Sequence, residues 1–533
     1  MKLNYAKTIE KWGIFEVTVS GPKEGNPFCD QWIKGTFCCK NEKKTVDGFY
    51  DGDGVYKVRF MPSFTDEYTF EIEASFDINV GEEVPEYKLG IADGGKEAEK
   101  YVVRNMLTGS FTVTSPSADN HGPVRVAGTY YLAYEDGTPY HCIGTTCYVW
   151  NLQNEELQKQ TLKTLEENAF NKIRFCIFPK HYDYNLHEPI TYPYEGTPCD
   201  SSVLNENNFA EYNGCAPGND WDFTRFNPAH FQHIEKCIQA LMKLGIEADL
   251  IVMHPYDRWG FSMMQAEDDD RYWKYVLARF SAYRNVWWSL ANEYDLMHEK
   301  TLSDWERYAG IICEKDPYHH LRSIHNCKAY YDYNLPWITH CSIQRTETYR
   351  SSELVNEWRE KYHKPVVLDE ICYEGNIQFG WGNISGEEMT RRFWEAFCRG
   401  GYPGHGETYL SPDRILWWSH GGVLHGTSPE RIKFLAKIMG ETPGLGVESM
   451  PCKWDEVACR AAGFPARKDY FIYYYSFMRP GFRDFYFDDT TEYQVEIIDT
   501  WEMTITDGGI HKGKFRVQLP GKEYMAVRLR VAK

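Results

Sequence analysis

Between residues 141 and 439 the chain repeats one pattern: a short run of β-branched and apolar residues ending in a polar tip, then an amphipathic stretch at helical spacing. The strand-like runs are 141–146, 172–178, 248–253, 286–291, 322–325, 338–343, 365–368 and, less regular, 402–408. Helical runs lie between them at 155–168, 228–244, 269–281, 303–314, 352–362, 386–399 and 429–439. Strands that alternate with helices must run parallel, because the crossover returns each strand to the same end of the sheet. Eight such units over about 300 residues is the size at which the sheet closes into a (β/α)8 barrel. The longest insertion, 180–226, follows the second strand, and another follows the eighth.

The flanks follow a different pattern. From Lys11 to about Arg104, segments such as Gly13–Val19, Val55–Phe60 and Tyr68–Ala74 alternate in and out between turn residues. A hairpin-like segment from Val124 to Pro139 then leads into the barrel. After Gly444 the β pattern returns in Tyr470–Tyr475, Tyr493–Asp499 and Tyr524–Leu529. The expectation is a multidomain protein: a central (β/α)8 TIM barrel (119–443), an N-terminal immunoglobulin-like β-sandwich (1–118) and a small C-terminal β-sandwich (444–533). The N-terminal domain is read as a brace for the barrel, with sugar binding as the alternative.

Composition narrows the partners. A net charge of -19 without a basic run argues against nucleic acid and anionic membranes. No apolar run approaches a membrane span, and Met1–Tyr5 leads straight into strand-like sequence with no signal-peptide pattern. Sixteen cysteines without CxxC pairs, several inside apolar runs, fit reduced thiols and a cytoplasmic location. With 17 Trp and 38 Tyr the chain has the rings that sugar faces stack on, although β domains also use them as core. Self-association into a homo-oligomer is left open.

Two strand tips carry the chemistry. Asn285–Asp295 runs from an apolar strand into Asn292-Glu293, and Pro365–Ile371 into Asp369-Glu370. An ionised acid at the end of a buried strand costs several kcal/mol (about 3–5 if left unpaired) unless it is paired or faces a cleft. In a closed barrel both tips face one bowl at the C-terminal end of the strands. Two carboxylates facing each other there suit glycosidic bond cleavage, one attacking the anomeric carbon and the other protonating the leaving oxygen.

With Asn292-Glu293 ending strand four and Glu370 ending strand seven, the chain resembles clan A of the retaining glycoside hydrolases. The resemblance implies Glu293 as acid/base, Glu370 as nucleophile and Asn292 as donor to the sugar 2-hydroxyl. It also implies Arg174, in Ala169–Arg174, as support for an ionised Glu370. More narrowly, Gly144-Thr145-Thr146, His254–Gly260, the Trp287–Asp295 block and Gly404–Thr408 resemble the apiosidase-like branch of these barrels, with β domains in front and behind. One departure is the missing tyrosine at the end of strand six, where Gln344 stands; another is a strand-eight tryptophan out of register, with Trp417-Trp418 in the next loop as a stacking wall.

Further bowl candidates are His254, Tyr256, Asp257 and Arg258 after strand three, His325, Asn326 and Gln344 at strands five and six, and His405 and Glu407 in a Gly-rich turn where backbone can approach a ligand. Asp257-Arg258 has a loop salt bridge as its alternative. Asp369 is expected to point away from Glu370 by strand alternation and to be structural. Tyr148 and Trp150 either line the floor or pack under the first loop. The reading is a cytoplasmic, retaining, exo-acting glycosidase for short carbohydrates that needs no metal or cofactor. Its rivals are a catalytically silent carbohydrate-binding barrel and a metal hydrolase built on the scattered histidines.

Overall fold

A computed structural model describes residues 5–78, 105–452 and 456–532. Met1–Asn4 and the stretch 79–104 of the expected N-terminal β region lie outside these residues. At the centre are eight parallel strands: β1 (Gly144–Thr146), β2 (Lys172–Cys176), β3 (Glu247–Met253), β4 (Val286–Ala291), β5 (Arg322–Ser323), β6 (Cys341–Gln344), β7 (Val366–Glu370) and β8 (Tyr402–His405). They are hydrogen-bonded in the order β5-β4-β3-β2-β1-β8-β7-β6. A lone parallel bridge from His325 to Ser342 spans the remaining gap between β5 and β6. The (β/α)8 barrel expected from the alternation is therefore present, with N- and C-terminal β domains around it.

Every residue of β2, β3, β4 and β7 is buried, which explains their near-continuous apolar runs: helices cover one face and the barrel interior the other. The helices begin where side chains satisfy their free amides. Asn154 accepts from the Leu157 amide, Ser385 from that of Glu388, and Thr301 forms a capping box with Asp304. The N-terminal end of the barrel is closed by the hairpin Val124–Ala127/Tyr131–Tyr134, whose Val124 and Leu132 pack on Trp287, Leu321, Val367 and Tyr402.

The barrel floor is charged. Lys172 Nζ lies 2.7 Å from both Asp249 and Asp369, and Arg174 stands beside them. Burying these ions is tolerable because each has an opposite partner.

In the N-terminal domain a five-stranded and a three-stranded sheet share one aromatic core. Its Arg59 forks onto Glu235 of the helix Pro228–Lys243, tying domain to barrel. The C-terminal domain is a six-stranded sheet with an added two-stranded antiparallel sheet, Phe482–Tyr486 paired with Lys514–Gln518. It meets the barrel through Trp394 stacked on Tyr474 and through the Arg528–Glu441 ion pair. Among the described residues no helix is long and apolar enough to cross a membrane.

Candidate active site

Glu293 follows β4 in the left-handed region, at φ 49° and ψ 56°. A non-glycine residue held there costs about 1–3 kcal/mol, a strain that clusters at functional sites. The turn also breaks strand alternation, so that neighbours Asn292 and Glu293 both reach the bowl. Asn292 Oδ1 accepts from Arg174 at 3.1 Å and lies 3.1 Å from the Tyr148 hydroxyl oxygen. Glu293 accepts from the Tyr256 hydroxyl and, at 2.9 Å, from Gln344 Nε2.

Glu370 ends β7. It accepts from the Tyr148 hydroxyl, from Arg174 Nη1 at 3.2 Å, and faces His325 Nε2 at 3.3 Å. The same His325 nitrogen lies 3.0 Å from Gln344 Oε1. One amide and one imidazole thus connect the two glutamates.

The two carboxyl groups have opposite proton affinities. Burial would raise Glu370, but the hydrogen bond and charge of His325, then Arg174 and Tyr148, hold it down at about 2. Glu293 is raised by burial and by the negative charge of Glu370, against the hydrogen bonds from Tyr256 and Gln344 and the charge of Lys180. The two carboxyl groups are thus pushed in opposite directions, Glu370 toward its ionised form and Glu293 toward its protonated form.

Several sequence candidates belong elsewhere. Asp257 accepts from the Trp259 amide and from the amide and hydroxyl of Ser262, so it shapes its own loop. Arg258, fully buried, pairs with Glu188 and lies over the Trp259 ring, fastening the long loop after β2. Neither forms the Asp257-Arg258 salt bridge. Asn326 clamps β6, donating to the Gln344 carbonyl and accepting from the Gln344 amide. It holds Gln344 in place.

His405 and Glu407 lie behind the barrel wall. In the parallel register Thr146 pairs with Arg174, which points inward, whereas Thr145 pairs with His405, so His405 projects from the opposite face. Its ring stacks on Phe170, and Glu407 accepts from the amides of His425 and Gly426. Trp417 follows them outward, its indole N–H donating to Thr145 Oγ1. Trp418 instead turns inward to Tyr148, Tyr182 and Trp381. Asp369, expected to point away, also faces the interior, because the β6–β7 register shifts between Ser342 and Gln344 and alternation fails there. Its role is structural as expected: Lys172 and Ser342 hold it. His254 is buried, with Nε2 3.3 Å from the Phe178 carbonyl and Nδ1 without a partner among the described residues.

Two residues matter more than the sequence revealed. Tyr148, from the loop after β1, supplies to Glu370 the hydroxyl sought at strand six; Trp150, fully buried, packs on Phe175. Lys180, just beyond β2, places its ammonium over the rings of Tyr148, Tyr256 and Trp418. It opens an insertion of irregular sequence, where no periodicity marks one residue above another. Among the described residues, Glu374, His405 and Glu407 form a group with potential metal-ligating atoms all within 4.8 Å, but it sits behind the wall, outside the bowl.

Barrel, paired glutamates and flanking β domains together define a glycoside hydrolase of the clan A fold. The family model "Apiosidase-like, catalytic domain" matches residues 127–426, more than half of the chain, and the chain belongs to that family. Models described as domains of unknown function match residues 8–75 (DUF5060) and 454–530 (DUF5605). A crystal structure from Bacteroides vulgatus ATCC 8482, provisionally assigned as a glycoside hydrolase, is 36% identical with a TM-score of 0.85, over 99% of this chain and 100% of that one. A glycoside hydrolase family 5 structure from the same organism is 16% identical with a TM-score of 0.58, over 77% of this chain and 93% of that one, a likeness of fold alone. A search of curated proteins returns no match.

Proposed function

We propose that this chain is a retaining, exo-acting glycosidase in which Glu370 is the nucleophile and Glu293 the acid/base. The carrying observation is the pair of glutamates at the ends of β4 and β7, connected through Gln344 and His325, with proton affinity lowered at Glu370 and raised at Glu293. Glu370 attacks the anomeric carbon while Glu293 gives its proton to the leaving oxygen. Glu293, now ionised, takes a proton from the water that releases the sugar from Glu370, which restores both groups. Tyr148, Arg174 and His325 hold the nucleophile's charge, and Asn292 is oriented toward the sugar beside it.

Support for exo-action comes from the loops after β2 and β8, which meet through the Arg414–Glu206 ion pair and through Trp418 against Tyr182, narrowing one end of the bowl. The substrate is a carbohydrate short enough to enter from the other end. Sixteen free thiols support a reducing compartment, hence the cytoplasm. Domain limits at 118/119 and 443/444 are part of the same reading.

The test is a screen of aryl glycosides, followed by incubation with the matching 2-deoxy-2-fluoro glycoside and peptide mass spectrometry. A single sugar adduct on Glu370 and retention of anomeric configuration by NMR are expected. Inverted product, or an adduct elsewhere, sinks the assignment.

A further inference from the structure

Two buried lysines stand close together on one strand and its continuation, and they are treated differently. Lys172 sits 2.7 Å from each of two aspartates, the behaviour of a lysine that holds a barrel together. Lys180 is equally buried, at 2% exposure, yet among the described residues its ammonium has no oxygen or nitrogen acceptor within hydrogen-bond distance. It is surrounded by rings, 3.5 Å from the centroid of Tyr148, 4.4 Å from Tyr256 and Trp418, and 5.2 Å from Tyr182. Aromatic faces attract a cation but give its three N–H groups no directional partner. The hydroxyls of Tyr148 and Tyr256 touch Glu370 and Glu293 respectively, so the ammonium lies between the two proposed catalytic arms.

We propose that Lys180 is a specificity-determining residue that donates to neighbouring hydroxyls of a neutral sugar bound in the bowl. The inference rests on the proposed glycosidase reading. Charge decides for a neutral sugar. The bowl and its floor hold four carboxyl groups, Asp249, Asp369, Glu293 and Glu370, against four basic groups, Lys172, Arg174, Lys180 and His325. A substrate carboxylate would add a fifth acid to a buried site whose four basic groups are already matched. The rings around the ammonium suit the apolar face of a sugar, while the ammonium itself supplies the donors that rings lack. Burial lowers the affinity of Lys180 for its proton to about 8, so it remains mostly charged at neutral pH.

The experiment uses the full chain and the aryl glycoside that the wild type hydrolyses best, its monodeoxy analogues and the matching uronide. For Lys180→Met, KM for the parent glycoside is expected to rise about 10- to 100-fold. For the deoxy analogue that lacks the contacted hydroxyl, wild type and variant are expected to converge, and Lys180→Arg to fall between them. A merely structural lysine would slow every analogue by the same factor, and that result overturns the proposal. So does an unchanged KM in Lys180→Met, or a wild-type preference for the uronide that Lys180→Met abolishes. If Lys180→Met does not fold by circular dichroism, the wild-type penalty on the deoxy analogues, compared with Lys180→Arg, decides alone. Failure of the glycosidase reading shows separately, as a wild type that hydrolyses no glycoside or carries no label on Glu370.

Discussion

The molecule contains two sets of one histidine and two glutamates at strand ends. Inside the bowl, His325 stands with Glu293 and Glu370; behind the wall, His405 stands with Glu374 and Glu407. Both sets are buried, and both pair a carboxyl of raised proton affinity with one of lowered affinity: burial and the Glu374 charge push Glu407 up to about 8, while Glu374 is lowered. What differs is who supplies the hydrogen bonds. In the bowl the donors are side chains, Tyr148, Tyr256, Arg174, Gln344 and His325, that surround a cleft. Behind the wall the donors include the amides of residues 425–428, which tie both carboxylates to the start of the helix Ser428–Gly440. A helix N-terminus welcomes negative charge, so Glu374 anchors it, and Glu407 braces the turn just before it. Composition alone does not make a site; the side of the wall decides.

Removing one carboxylate from each set separates the two most strongly. Glu370→Ala is expected to lower kcat/KM on the order of 10⁴-fold at an unchanged melting temperature, whereas Glu407→Gln leaves kcat/KM near wild type. Equal losses in the two variants would erase the distinction. Glu293→Gln comes next, with a loss of about 10²–10⁴-fold on substrates with poor leaving groups and much less on activated aryl glycosides. Wild-type activity should also fall on the alkaline side as Glu293, raised above the usual carboxylate range, gives up its proton. That limb should vanish in Glu293→Gln, and a persistent limb would assign the acid elsewhere.

Tyr148→Phe tests one donor. Losing a hydrogen bond to a charged group costs about 1.5–3 kcal/mol, or roughly 10- to 100-fold in rate. Because that bond holds Glu370 down, the acid limb of the pH profile should move upward; a downward move or none would refute the contact. The smallest effect is on stability. Folded Glu407 keeps a proton that the unfolded chain releases near 4.5, so stability falls as pH rises from there toward about 8. Glu407→Gln should flatten melting temperature across that window, which thermal scans at several pH values will read.

These two sets also mark where the sequence was legible. Strand runs, helix spacing and the Asn292-Glu293 and Asp369-Glu370 tips were readable because period and position are local properties. His325 and His405 look alike in sequence, since both end an apolar strand. Only the pairing of Thr145 with His405 puts the latter outside, and register belongs to the closed sheet. Asp369 was misdirected for a related reason, a register shift in the β6–β7 pairing. Tyr148 and Lys180 lie in loops, where direction depends on packing and not on periodicity.

Strands β5 and β6 meet differently from the other neighbours. Other neighbouring strands share at least two paired residues, but here one bridge, from His325 to Ser342, joins the strands, and side chains supply much of the rest: Ser323 donates to the His340 carbonyl, and Asn326 brackets the Gln344 backbone. The residue forming that bridge also holds the charge of Glu370 and touches Gln344. This junction therefore depends on side chains of the bowl more than the other seven do, and losing those side chains would loosen the barrel and disarm the chemistry together. A sugar lodged across the bowl would fasten the seam from within, so that occupancy and mechanical integrity rise together.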